Sequence, residues 1–149
     1  MSKKANLRNR IRRLIRNWAV PVGCGLFFLF LLQYVFFIGY VPSASMEPTI
    51  KEGSLIIGTR LAGDLQRGDV VVFERGNVLM VKRIAGIPGD VVVVGNKTVA
   101  VPEDSYYLLG DNEALSCDSR YWDEPFVAKD QVIARVIIFR QRPDPPANS

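Results

Sequence analysis

From residue 19 to residue 41 the chain is apolar almost without a break, and Gln33 is the only strongly polar side chain in the run. Its 23 residues, wound as a helix rising 1.5 Å per residue, would reach about 35 Å, enough for the ~30 Å hydrocarbon layer of a bilayer with some tilt. Trp18 and Tyr40 stand at its two ends, where amphipathic rings favour the headgroup region, and Pro21 is expected near the helix start, where a missing N–H costs little. Beyond residue 41 the pattern changes to short β-branched runs separated by turn residues. Strands are predicted at 54–59, 70–73, 78–84, 91–94, 98–101, 106–109 and 132–140, with turns at 74–77, Gly95-Asn96, Pro88-Gly89-Asp90 and Gly110-Asp111-Asn112. No stretch there keeps helical periodicity for three turns. The expected fold class is mainly β: a single N-terminal transmembrane helix followed by a compact all-β domain. The expected divisions are a basic segment at 1–17, an anchor at 18–41, the β-rich domain at 42–140 and a disordered proline-rich tail at 141–149.

Charge sharpens this picture. The chain has 149 residues, 19 Lys+Arg and 15 Asp+Glu. Seven of the bases and none of the acids lie in residues 1–17, so the remainder is mildly acidic. A nucleic-acid footprint needs a basic body, and none is implied here. The cluster instead marks the cytoplasmic flank of a single-pass anchor by the positive-inside rule, which puts the β-domain outside a cell (plasma) membrane and makes the lipid bilayer a partner. The rival is a cleaved signal peptide, whose apolar region normally runs only 7–15 residues. There is no histidine, which excludes a Ser-His-Asp triad, a Cys-His pair and any His-ligated metal site. Cys24 and Cys117 do not form a disulfide framework, and Cys117 reads as a free small hydrophobe.

Three segments can carry chemistry. The first, residues 42–49 (PSASMEPT), is on its own a turn whose serines cap backbone N–H groups, or a proline-stiffened loop presenting a nucleophile. A serine nucleophile needs a base. Lys82 is the candidate, because strand alternation places it with Met80 and Ile84. If that face is buried, desolvation disfavours the ammonium; lowering the pKa by about 2.5 takes roughly 3.4 kcal/mol. If it is not, Lys82 is an edge-strand residue whose head snorkels to water. The third segment, residues 110–120 (GDNEALSCDSR), is either a solvated loop with Asx-turns or the support that holds a buried amine in one rotamer, with Asp118 and Arg120 spaced to pair across a turn.

Together these segments resemble the type I signal peptidases, the membrane-anchored Ser-Lys endopeptidases of preprotein export. The motifs PSASMEPT (42–49), KRIAGIPGD (82–90) and GDNEALSCDSR (110–120) occur in the family's order, with RGDVVVF (67–73) as a less specific fourth, and the likeness covers about residues 18–140. The resemblance implies Ser45 as nucleophile and Lys82 as general base. It makes Ser43 an oxyanion donor beside the Ser45 N–H, and Ser116 the partner of the lysine amine. Asp111 with Arg83, and Asp118 with Arg120, become structural ion pairs. Val41, Met46, Ile50 and Val81 fall at substrate-pocket positions, and Met46 and Pro48 shape the loop. It implies no cofactor and no metal, and secretory preproteins carrying signal peptides as substrates. Glu113 stands where the family often has arginine, and only 19 residues separate Asp90 from Gly110, as in a short single-pass form. Three other readings remain: a same-fold peptidase dedicated to one secreted or pilus substrate, a non-catalytic anchored β-domain, and a soluble Ser-Lys self-cleaving repressor, which the apolar run disfavours.

Overall fold

A computed structural model describes residues 2–61 and 63–140, with side chains from Ile15 onward. The tail expected at 141–149, and the side chains of the basic residues up to Arg13, lie outside the described residues. The chain divides into two units, residues 1–35 and 36–149.

The first unit is helix α1 (Ser2–Phe30) followed by a π-helical turn, Leu31–Val35. Within it, Ile15–Val35 is 21 residues long and apolar enough to cross a membrane, about the 30 Å such a crossing needs. Two expectations are corrected here. The helix begins far upstream of the apolar run, so Pro21 lies in its interior rather than near its start; the missing N–H removes one i→i−4 bond there. The helix also stops before residue 36. Phe36–Tyr40 is strand β1, so Tyr40 belongs to a sheet and not to a helix end. Phe36, Phe37, Ile38 and Tyr40 suit a strand as well as a membrane helix, and hydrophobicity alone does not separate the two.

The second unit contains β2 (Leu55–Thr59), β3 (Val70–Arg75), β4 (Val78–Gly86), β5 (Val91–Val94), β6 (Lys97–Ala100), β7 (Ser105–Leu109), β8 (Phe126–Ala128) and β9 (Val132–Arg140). Seven strands form one antiparallel sheet in the order β1-β2-β9-β3-β4-β7-β8, and β5 and β6 form a separate hairpin. The mainly β class expected from the sequence is the observed one. β1 and β8 went unpredicted: the first is hidden in the apolar run, and the second has only three residues. The turn expected at 74–77 is tighter, because β3 runs to Arg75 and only Gly76 and Asn77, both with positive φ, reverse the chain. That is the geometry a two-residue hairpin favours.

β3 lies inside the sheet and is buried on both faces, which is why it reads as an unbroken apolar run. Val72 joins Val41, Met46, Ile50, Ile56 and Ala134 in one core cluster. Val71 and Phe73 join Ile84, Tyr106, Leu108 and Val127 in the other. Strand pairing also leaves one stretch of backbone open. β1 pairs only with β2, and β7 meets β4 from Arg83 onward. Residues 78–82 of β4 therefore pair with β3 on one side and present an edge that β7 does not cover.

Candidate active site

The loop after β1 returns through a single 3₁₀ turn, Ala44–Met46, held by the Glu47 N–H to Ala44 O (3.1 Å) and the Ile50 N–H to Met46 O (2.8 Å). Met46 is driven wholly into the core, and this leaves Ser45 8% exposed with its hydroxyl at the surface of a cleft. Ser43 Oγ lies 3.4 Å from Ser45 Oγ. The Ser45 carbonyl accepts the Asn112 N–H at 3.1 Å, tying this loop to the segment after β7.

Lys82 sits where strand alternation places it. It shares the inward face of β4 with Ile84 and is 4% exposed. Burial pulls its amine below the ordinary lysine value, with the Asp118 carboxylate only partly opposing. The amine donates to Ser116 Oγ (3.0 Å), and Ser116 donates in turn to Asp118 Oδ2 (2.7 Å). Because the serine proton is used on the carboxylate, Ser116 must accept from the lysine, and the chain of bonds has one direction.

Asp118 is completely buried. It accepts from the Gly110 N–H (2.9 Å), from Arg120 Nε (3.0 Å) and Nη2 (2.8 Å), and from the Arg120 N–H (3.2 Å). Burial by itself would raise its pKa; the bonds from Arg120, Gly110 and Ser116 outweigh this and hold it at about 2. The same pairing raises Arg120. Arg120 Nη1 also donates to exposed Glu113, which supplies a second carboxylate to the guanidinium where the family pattern would put a positive charge.

A second fork holds the other side of the site. Arg83, next to Lys82 but on the opposite face of β4, donates through Nε and Nη2 to the two oxygens of Asp111 (2.8 and 2.6 Å) and through Nη1 to Gly68 O (2.8 Å). Burial raises Asp111, but the Arg83 bonds outweigh it and its pKa falls; the same bonds raise Arg83. Arg67 pairs with Asp90 at 2.7 Å, so the 67–73 and 82–90 segments also meet.

Ser43, Ser45, Val41, Val81, Lys82 and Cys117 line one cavity of about 500 Å³. Of the expected pocket residues, Val41 and Val81 are in its wall. Met46 and Ile50 are not: both are wholly buried in the core behind it. A short loop pressed onto a sheet must turn its large apolar side chains away from the surface that the serines face. Cys117 is free and exposed rather than packed as a small hydrophobe.

Sequence marks Gly110 only as turn punctuation, and the structure gives it a second duty. A Cβ there would overlap Ser116 Oγ and lie 2.6 Å from the Ser45 carbonyl oxygen. It is the contact point between the Ser45 loop and the Ser116 side chain. The preceding strand's close approach to another backbone is the physical signal, and sequence shows only the glycine.

The arrangement can do base-assisted nucleophilic chemistry: a hydroxyl and a desolvated amine on one cavity, with the amine oriented by a serine and a saturated carboxylate. Comparison with known proteins gives the family. The family described as signal peptidase, peptidase S26, matches residues 14–101 and 94–140. The chain is similar to a probable signal peptidase I-2 of Synechocystis, 32% identical over 133 residues (66% of this chain, 60% of the relative). It is 30% identical to the signal peptidase I of Pseudomonas fluorescens over 160 residues (60% and 56%). It is 25% identical to the signal peptidase IB of Staphylococcus aureus over 173 residues (85% and 89%). The matches thus span less than two thirds of the first two relatives and most of the third. Since the family's pattern runs from the apolar helix through the serine loop, the lysine strand and the carboxylate segment alike, this chain belongs to the signal peptidase family, peptidase S26.

Proposed function

We propose that the chain is a serine endopeptidase that removes signal peptides from exported preproteins, with Ser45 as nucleophile and Lys82 as general base. One observation carries this reading: the only lysine among the buried polar residues described lines the same cavity as Ser45 and is hydrogen-bonded to Ser116. Burial disfavours the ammonium form, and the amine, once deprotonated, gives one N–H to Ser116 and keeps its lone pair for the serine hydroxyl.

In the proposed reaction the precursor lies extended along the uncovered edge of residues 78–82. Main-chain bonds supply affinity there, and shallow pockets take small side chains at −1 and −3. Ser45 attacks the scissile carbonyl as Lys82 takes its proton. The Ser43 hydroxyl and the Ser45 N–H meet the oxyanion, one such donor being worth about 3 kcal/mol. Lys82 then protonates the leaving amine and later activates water against the acyl-enzyme. The basic N-terminal segment stays in the cytoplasm and the β-domain acts at the outer face, where anchoring confines enzyme and cleavage site to one plane.

The test is cleavage of a precursor in detergent by the full chain. Ser45→Ala and Lys82→Ala are each expected to lose activity by about 10⁶-fold, as when a nucleophile or its base is removed; Ser116→Ala should lose less, since it positions the amine. The wild-type rate should rise from neutral toward alkaline pH, because the base works only unprotonated and its pKa is lowered. A full rate from either dyad variant, or a flat profile between pH 6 and 10 with chemistry rate-limiting, sinks the dyad. A panel of unrelated precursors separates a general enzyme from one dedicated to a single substrate.

A further inference from the structure

The far end of the cavity has an unusual floor. On β1 the inward side chains are those of residues 37, 39 and 41, and the middle one is glycine. A Cβ on Gly39 would lie 2.6 Å from Phe37 Cε1, 3.1 Å from Phe37 Cζ and 3.4 Å from Ile56 Cγ1. The Phe37 ring therefore lies along its own strand and fills the place of the missing side chain. What faces Phe37 across the sheet is another glycine, Gly58, while Gly39 pairs with Ile56. Arg60 stacks its guanidinium over the ring, 5.6 Å from the centroid. Phe37, Gly39, Val41, Ile56 and Val81 all line the cavity that holds Ser45.

We propose that Phe37, lying over Gly39, sets the depth of the subsite for the substrate's −3 side chain. This rests on the chain being the Ser-Lys peptidase proposed for the same cavity. Alternate residues of an extended chain are about 6.7 Å apart and point to one face. Val41 and Gly39 are alternate residues of the same extended segment, so a substrate whose −1 side chain rests against Val41 and Val81 puts its −3 side chain at Gly39. There it meets the edge of an aromatic ring. A small −3 residue fits above the ring; a Leu collides with it. The ring is the far end of a side chain rather than backbone, so the depth at −3 is adjustable by mutation at two positions with opposite sign.

The experiment uses the full chain in detergent and one precursor with Ala, Val or Leu at −3, and reads kcat/KM. Phe37→Ala is expected to raise the Leu-to-Ala ratio at −3 about tenfold, the scale on which pocket volume discriminates side chains. Gly39→Ala is expected to push the ring toward the cleft and to lower the Val-to-Ala ratio by a similar factor. Neither should move the Ala-to-Leu preference at −1. Gly39→Ala removes no packing, so it carries the test if Phe37→Ala does not fold. Unchanged −3 ratios in an active variant, with Ser45→Ala inactive, overturn the subsite alone. Full cleavage by Ser45→Ala overturns the underlying reading and the subsite with it.

Discussion

Asp118 collects more hydrogen bonds than any other side chain in the site, yet its part is to stay charged and still. With Arg120, Gly110 and Ser116 all donating to it, the carboxylate cannot relay a proton at working pH; it fixes Ser116, which fixes the Lys82 amine. Its pKa of about 2, against an ordinary 3.8, links charge to folding. A depressed acid contributes stability that is fully present above about pH 4 and is lost as pH falls through 2, here about 2 kcal/mol. Asp118→Asn should therefore lower the unfolding free energy by about 3 kcal/mol at pH 7, since a guanidinium loses its buried partner. Denaturant titrations should show the gap between the two proteins narrowing by about 2 kcal/mol as the pH falls toward 2. A gap independent of pH would show that shape, not charge, is what Asp118 supplies. Sequence makes this pair visible through spacing alone, since Asp118 and Arg120 stand two apart. The convergence of Ser116 and Gly110 on the same oxygen needed the fold.

Between elements, the decisive contact joins two loops that are far apart in sequence. The Ser45 loop follows β1 and the Ser116 segment follows β7, and they meet where the Asn112 N–H reaches the Ser45 carbonyl. Gly110 permits that meeting. In Gly110→Ala the new methyl has no room between Ser116 Oγ and the Ser45 carbonyl, and one of the two must move. Displacing catalytic groups by about 1 Å costs on the order of 10²-fold in rate. The expected result is a kcat reduced about 100-fold, with KM and thermal unfolding changed far less. An equal loss of stability and activity would reduce Gly110 to a folding residue. The same scale explains the two strands that sequence reasoning missed. β8 is too short to carry an alternation, and β1 continues an apolar run that reads equally well as helix.

For the molecule as a whole, the boundary between apolar helix and sheet falls at residue 36, not at residue 42. β1 leads into Val41, part of the core around Met46, and supplies Phe37, half-buried against that core. A chain that begins at Phe36 is expected to unfold cooperatively and to cleave a precursor in detergent. One that begins at Pro42 should lose several kcal/mol, because it discards an edge strand and at least two apolar side chains. Thermal unfolding of the two, followed by circular dichroism, decides the matter; equal midpoints would show β1 to be dispensable.

Local pattern was enough to establish the apolar span, the mainly β domain after it, the strand face that Lys82 shares with Ile84 and the four segments that place this chain in its family; that this face is the buried one needed the fold. Alternation, hydrophobic run length and motif order are written in consecutive residues, so they survive without coordinates. Tertiary structure alone decided where the helix gives way to β1, that Met46 and Ile50 back the cavity rather than line it, that Phe37 and Gly39 lie in its wall, and that Gly110 is where the Ser45 loop meets Ser116. Each of these depends on which distant segments are pressed together, and contact distances between such segments have no counterpart in the spacing of letters along a chain.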